Sequence, residues 1–309
     1  MGSHAHVRVL GGPRGLAAAG AKRLAELESL WSRFVANSEI SVLNRSQGTA
    51  VVVSEETFAL FVAAIGGYES SGGLFDPSVH DALCDAGYDR SFEELFRSTP
   101  GGDESPDAAR APARAPGCSG IELNSAACTV TLAPGVRFDP GGIGKGLAAD
   151  IVVGELVDAG AAGALVNVGG DLRCEGDSGD PFGWVISIED AFDPEVELDR
   201  IAIRAGAVAT SSCLTRRWDH GDGTFHHLLD PRTGAPAGNE IAAVSVIARD
   251  CTQAEVIAKA ALLTGAGSGD AGHAAARAIE TAQESGARAL VTDADGWVHA
   301  GASFAEVRV

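Results

Sequence analysis

Two short stretches hold the side chains best suited to chemistry. Asp139-Pro140-Gly141-Gly142-Ile143-Gly144-Lys145-Gly146 sets a carboxylate and a lysine within seven residues of flexible backbone. Free backbone N–H groups and a lysine suit a phosphate, and a hard oxygen donor suits a metal. His226-His227-Leu228-Leu229-Asp230-Pro231-Arg232-Thr233-Gly234 puts paired imidazoles ahead of a tight Asp-Pro turn. Adjacent histidines on a strand point to opposite faces, so one serves a site while the other packs or meets solvent. Together the two stretches point to an enzyme acting on a phosphorylated ligand.

Other segments carry weaker signals. The glycine-rich stretch has neither the Walker spacing nor the dinucleotide GxGxxG. Gly169-Gly170-Asp171 ends a predicted buried strand and reads as a turn or as a ligand loop. Ala209-Thr210-Ser211-Ser212 offers hydroxyls to phosphate oxygens, although such runs usually form loops or caps. Glu255 and Lys259, four apart on a predicted helix, make a helical ion pair in the simplest reading.

These residues need elements to hold them. His6–Leu10 alternates like a strand, and apolar positions at helical spacing predict a helix over 16–34. Ser54 is placed to cap a second helix running to about residue 69. Residues 121–123 and 128–132 predict a hairpin feeding the glycine-rich segment, with a helix over 146–158 after it. Further strands are expected at 164–168, 184–188, 201–203, 244–248, 288–291 and 297–298, and helices at 252–264 and 271–285. The mixture of hairpins and helices favours α+β over a parallel sheet. The proline-rich stretch 99–117 buries little and is expected to be a mobile loop.

With 309 residues, 45% of them hydrophobic, the chain can bury a sizeable core. A net charge of -19 argues against nucleic-acid or anionic-membrane partners, which need basic patches. An anionic ligand therefore requires a local pocket of N–H groups, lysine or bound cation. Six cysteines without CxxC spacing read as reduced core residues. No run is long and apolar enough to span a bilayer, and no signal or lipid-anchor pattern is seen, so a cytoplasmic protein is expected.

In this order the segments resemble the FAD:protein FMN transferase family, also called the ApbE or thiamine-biosynthesis-lipoprotein family. The matches are Met1-Gly2-Ser3, Ser38-Glu39-Ile40-Ser41-Val42-Leu43-Asn44, Gly73-Leu74-Phe75-Asp76-Pro77-Ser78-Val79, Asp139–Gly146, Asn167–Asp171, Ala209–Ser211 and His226–Gly234. The resemblance implies one α+β domain over residues 1–309, with mixed sheets and flanking helices around a central FAD cleft. It also implies transfer of the FMN half of FAD to a threonine of an acceptor protein, with release of AMP and help from Mg²⁺.

Carried over by position, Asp139 and Lys145 would contact FAD, with Asp171, Thr210 and Ser211 among the cofactor-binding residues. Leu74, Phe75 and Asp76 would line the flavin or adenine pocket, with Met1 and Phe34 beside it. Leu228 would pack on the cofactor. His227 would be the acid/base group beside the reacting phosphate, with Asp139 also catalytic. Gly142 would offer a carbonyl to the metal. Where the family carries A-D-x-x-x-T, this chain reads Ala254-Glu255-Val256-Ile257-Ala258-Lys259. Glu255 remains an oxygen ligand, but a protonated lysine has no lone pair for Mg²⁺. Three outcomes follow: a metal held by Glu255, Gly142 and water, a Lys259 ammonium replacing part of its charge, or loss of metal-dependent transfer. The rival activities are FAD hydrolysis to FMN and AMP, and FAD binding without turnover.

Overall fold

The computed structural model describes residues 3–97, 113–220, 223–238 and 240–309. In chain order the elements begin with β1 (Ala5–Leu10), α1 (Leu16–Trp31), α2 (Glu39–Ser46), β2 (Val51–Val52), α3 (Glu55–Ser70), α4 (His80–Asp85) and α5 (Phe92–Arg97). They continue with β3 (Ile121–Asn124), β4 (Thr129–Leu132), α6 (Gly144–Asp158), β5 (Gly163–Val168), β6 (Asp171–Gly176), β7 (Trp184–Glu189) and β8 (Glu197–Ile203). The last are β9 (Gly206–Ser212), β10 (Arg217–His220), β11 (Gly223–His226), β12 (Ile241–Ala248), α7 (Cys251–Gly265), α8 (Ala271–Glu284), β13 (Arg288–Asp293) and β14 (Val298–Ala300). This is an α+β protein, as the interleaved pattern predicts.

The chain forms two compact units. The larger takes Ser3–Glu28, Gly142–Ser212 and Gly238–Val309. Its seven-stranded sheet runs β1-β5-β6-β9-β12-β13-β14, and every neighbouring pair is antiparallel. Gly169 and Gly170 make the two-residue turn between β5 and β6, with φ of 64° and 96°. A turn with two positive φ values matches strand twist and favours glycine at both positions. Asp171 thus opens a strand, β6, where the sequence suggested the end of one.

The run Ala209–Ser212 is also strand rather than loop, because β9 lies between β6 and β12 inside the sheet. Its Thr210 sits opposite Ser245, and their hydroxyls bond at 2.8 Å. Leu172, Val208, Ile247 and Leu290 pack with Trp184, Ile186, Ile201 and Phe304 into a core beneath the β7–β8 hairpin. Helix α7 contacts β9, β12, α6 and α8, so its residues from Ala254 to Leu263 are all buried. Gly146 permits the approach of α6, since a Cβ there would stand 2.5 Å from the Cys251 carbonyl oxygen. Asp150 of α6 then accepts from the N–H groups of Cys251 and Thr252 at 2.8 Å each. Asp250 takes the Gln253 N–H as the cap of α7. Orphan donors at a helix start are satisfied this way, and the start of α7 is locked to α6.

The smaller unit is built on Ser29–Gly141 and Cys213–Ala237. It holds a three-stranded sheet, β2-β4-β3, and the β10–β11 pair. Ser54 caps α3 as predicted, taking the Thr57 N–H. The first helix stops at Trp31, three residues short of the predicted end, and Ser38 caps α2 after the intervening turns. Trp31 is fully buried and donates from Nε1 to the Thr57 hydroxyl at 3.1 Å.

Most of the expected mobile loop, residues 99–112, lies outside the described residues. Residues 113–117 are held: Ala115 is buried and donates to the Pro231 carbonyl at 2.8 Å, and Gly117 donates to the Ser78 hydroxyl at 2.8 Å. All six cysteines are free thiols, four of them buried. Burial pushes the Cys118 and Cys174 thiols up to about 12, so neither is a ready nucleophile at neutral pH.

Candidate functional site

The larger unit gathers a lysine and two carboxylates from three elements. Lys145, in the first turn of α6, reaches Asp171 at the start of β6 and Glu255 in α7. Its Nζ donates to Glu255 Oε1 at 2.9 Å and also contacts Asp171 Oδ2 closely. Glu255 Oε2 accepts from the Gly146 N–H at 2.9 Å, and Asp171 Oδ1 accepts from the Thr210 N–H at 3.2 Å. Side-chain exposures of 14% for Lys145, 3% for Asp171 and 6% for Glu255 make this a buried network. Lys259, one helical turn beyond Glu255, is buried as well. Ser211 is buried in β9. Lys145, Asp171, Thr210 and Glu255, singled out from separate segments, therefore form one connected cluster.

Gly142 belongs to the same unit, at the approach to α6. The donors do not fit Mg²⁺. Each oxygen of Glu255 is already an acceptor, one from an ammonium and one from a backbone N–H. The residue one turn along is a second lysine, which has donors only. Among the described residues no group of three or more His, Cys, Asp and Glu side chains is placed to hold a metal ion. A divalent ion would have to displace one ammonium and lie beside another, against their repulsion.

In the smaller unit, Asp139 pairs with Arg33. Arg33 Nε lies 2.7 Å from Asp139 Oδ2, with side chains 6% and 7% exposed. Asp139 Oδ1 accepts from the Gly141 N–H at 2.7 Å, so both oxygens are engaged. The guanidinium stacks 4.3 Å from the centre of the Phe34 ring and 4.7 Å from that of Tyr88, and donates to the Tyr88 carbonyl at 2.7 Å. Phe34 is half-buried against Tyr88. Arg33 was not marked by the sequence, because no local spacing links it to a carboxylate 106 positions further along the chain.

Asp76 is buried, and its Oδ1 accepts from both the N–H and the hydroxyl of Ser78, at 2.8 and 2.6 Å. Phe75 is fully buried and Leu74 half-buried. Met1 lies outside the described residues.

The two histidines differ. His226 ends β11 opposite Arg217 and is buried, and its Nδ1 accepts from the Leu228 N–H at 3.3 Å. Burial lowers its pKa, with the Ala237 backbone offsetting only part of that effect, so it is a neutral imidazole. His227 stands just beyond the strand and is half-buried, so the two do not alternate within one strand. Leu228 is buried beside it. Below them Asp230 accepts at its carbonyl from the Thr233 and Gly234 N–H groups at 3.1 and 2.7 Å. Gly234 has φ of 73° and lies against the Ala113 backbone, which leaves no room for a side chain.

His80 also titrates away from its ordinary value of 6.5. Burial works against its charge, but hydrogen bonds to Asp81 and Cys84 and the Asp139 charge outweigh it and raise the pKa to about 9. A raised folded-state value contributes stability that is full below the unfolded pKa and lost as pH rises through the folded one. Thermal unfolding is therefore expected to shift to lower temperature between about pH 6.5 and 9, by a component that His80→Gln removes. Scans across that range check this, and an unchanged slope in the variant counts against it.

An antiparallel sheet backed by helices, with a buried lysine–dicarboxylate cluster at the start of a helix, defines an α+β protein with fixed charges held at a helix start. The ApbE family model matches residues 1–281, and the chain belongs to the ApbE family. It is 29% identical over 247 residues to the FAD:protein FMN transferase of Treponema pallidum, covering 74% of this chain and 66% of that protein. It is 32% identical over 138 residues to that of Klebsiella pneumoniae, covering 44% and 42%. The matched stretch is thus less than two thirds of either relative. Among solved structures, the ApbE protein of Thermotoga maritima superposes with a TM-score of 0.81 at 25% identity, covering 98% of this chain and 96% of that one. The flavin transferase ApbE of Vibrio cholerae superposes at 0.76 with 22% identity, covering 99% and 96%.

Proposed function

We propose that this chain transfers the FMN half of FAD to a threonine hydroxyl of an acceptor protein and releases AMP. The buried Lys145–Asp171–Glu255 cluster, in a chain whose family model spans residues 1–281, carries this reading. An ammonium fixed by two carboxylates is oriented before the ligand arrives, and preorganised charge is what stabilises a transferring phosphoryl group.

In the proposed reaction the acceptor oxygen attacks the FMN phosphorus. The P–O bond to the AMP phosphate breaks, and its electron pair leaves with AMP. The hydroxyl proton passes to His227, a half-buried imidazole beside the Leu228 backbone. Lys145 neutralises charge on the pyrophosphate oxygens. The Arg33–Asp139 pair holds Phe34, whose ring is offered to the flavin or adenine. No step passes through a metal ion, because the donors around Glu255 do not fit one.

The test is incubation with FAD and an acceptor bearing a flavinylation threonine, followed by measurement of AMP and of covalent flavin on the acceptor. Both products are expected. AMP and free FMN without labelled acceptor would identify a hydrolase, and bound FAD without AMP a carrier. His227→Ala is expected to slow AMP release by about 10²–10⁴-fold while retaining FAD binding. Unchanged turnover in that variant sinks the acid/base assignment.

A further inference from the structure

The smaller unit contains a cavity of about 390 Å³ whose lining is cationic in a chain carrying -19 overall. Arg33, Arg45, Arg137 and His80 line it, together with Ser41, Asn44 and Gln47, and no carboxylate among the described residues does. The acidic partners within reach are few. Asp139 holds Arg33 at 2.7 Å. Asp81 is shared, lying 2.9 Å from His80 Nδ1 and 3.1 Å from Arg137 Nη1. Among the described residues Arg45 donates to a backbone carbonyl, that of Ala36 at 2.9 Å, and to no carboxylate. His80 is protonated at neutral pH. Four cations against two carboxylates leave a surplus of two positive charges around one recess.

We propose that this recess binds a small phosphate dianion, presented as a phosphomonoester. Two negative charges match the surplus. Guanidinium forks match the geometry of phosphate oxygens, and Arg45 and Arg137 supply them, whereas Arg33, engaged with Asp139, Tyr88 and Cys84, contributes charge alone. The volume falls in the range of small-molecule pockets, which leaves room for an organic body behind the phosphate. Like charges converging on one concavity repel, so their persistence in an otherwise acidic chain is accounted for by an anion that joins them. Arg33 is common to this recess and to the Asp139–Phe34 arrangement, so occupancy would be felt at that pair. The inference itself does not depend on the flavin-transfer reading.

Isothermal titration of the full chain at low salt, in a buffer free of phosphate, tests the site with inorganic phosphate and with ribose 5-phosphate. Saturable one-to-one binding is expected, tighter for the ester. Equal affinity for the two would assign the site to inorganic phosphate and overturn the ester assignment. Arg45→Gln with Arg137→Gln is expected to weaken binding at least tenfold. Gln47→Glu, at an exposed position, places a carboxylate at the recess and is expected to abolish binding with little effect on thermal unfolding. Absence of saturable binding at millimolar ligand, or unchanged binding in both the double variant and Gln47→Glu, overturns the proposal. FAD binding measured in the same variants separates this outcome from failure of the transfer reading.

Discussion

Replacing Lys145 by methionine is expected to cost about 3–5 kcal/mol of folding stability, the usual result when one partner is removed from a buried ion pair. The reason is what stays behind. Asp171 and Glu255 are 3% and 6% exposed, and each would keep a charge without its counter-ion. Backbone N–H groups of Thr210 and Gly146 would still donate to them, but a single hydrogen bond does not replace an ammonium. For a unit of this size the loss corresponds to a fall of roughly 10 °C in unfolding temperature. AMP release from FAD is expected to vanish with it.

Loss of folding and loss of chemistry are separated by a triple variant, Lys145→Met with Asp171→Asn and Glu255→Gln. With all three charges removed, the desolvation penalty of the carboxylates disappears, and unfolding is expected to return toward that of the parent. Turnover is not expected to return, since Lys259 alone is left for the pyrophosphate and the ammonium at the start of α6 is gone. A triple variant that regains stability and also releases AMP would show Lys145 to be purely structural. One that stays as unstable as the single variant would mean the amides make new conflicts with their neighbours.

Elements set by local pattern are legible in the chain, and those set by contacts distant in sequence are not. Ser54 announces α3 because a cap needs only its own helix start. Strands β5, β7 and β12 are apolar enough to stand out alone. β9 escaped because its second half is Thr210-Ser211-Ser212, small and polar, and its strand character comes from neighbours β6 and β12. β6 escaped because Asp171-Leu172-Arg173-Cys174-Glu175 alternates core side chains with Asp171 of the cluster and the paired Arg173 and Glu175. The motifs around Lys145, Asp171 and Glu255 were visible one by one, yet Lys145 and Glu255 lie 110 residues apart and meet only through α6 packing on α7. Asp150, which locks that packing, and Arg33, which engages Asp139, had no local signal at all. Asp139 ahead of Gly141-Gly142 marks a carboxylate at a flexible turn but carries no sign of its partner.

Activity is expected to survive removal of divalent cations. In EDTA, AMP release should remain within about twofold of its value with Mg²⁺, because the charge a metal would bring is carried by ammonium groups near Glu255. Lys259 is 7% exposed on the same helix one turn from Glu255, and Lys145 is held by Glu255 from the other helix. Two fixed cations in a poorly solvated place act on a pyrophosphate more strongly than the same charges in water. Lys259→Thr exchanges a donor-only side chain for a hydroxyl that can accept and ligate. That variant is expected to lose about 10²–10³-fold in EDTA, the scale typical of removing one preorganised charge-stabilising donor. It should regain part of the loss on addition of Mg²⁺. A second readout avoids reliance on turnover: quenching of FAD fluorescence should give an affinity that Mg²⁺ leaves unchanged in the parent chain and strengthens in Lys259→Thr. If EDTA abolishes turnover of the parent chain and Mg²⁺ tightens its FAD binding, a metal does enter beside Glu255, and Lys145 or Lys259 must move aside to admit it.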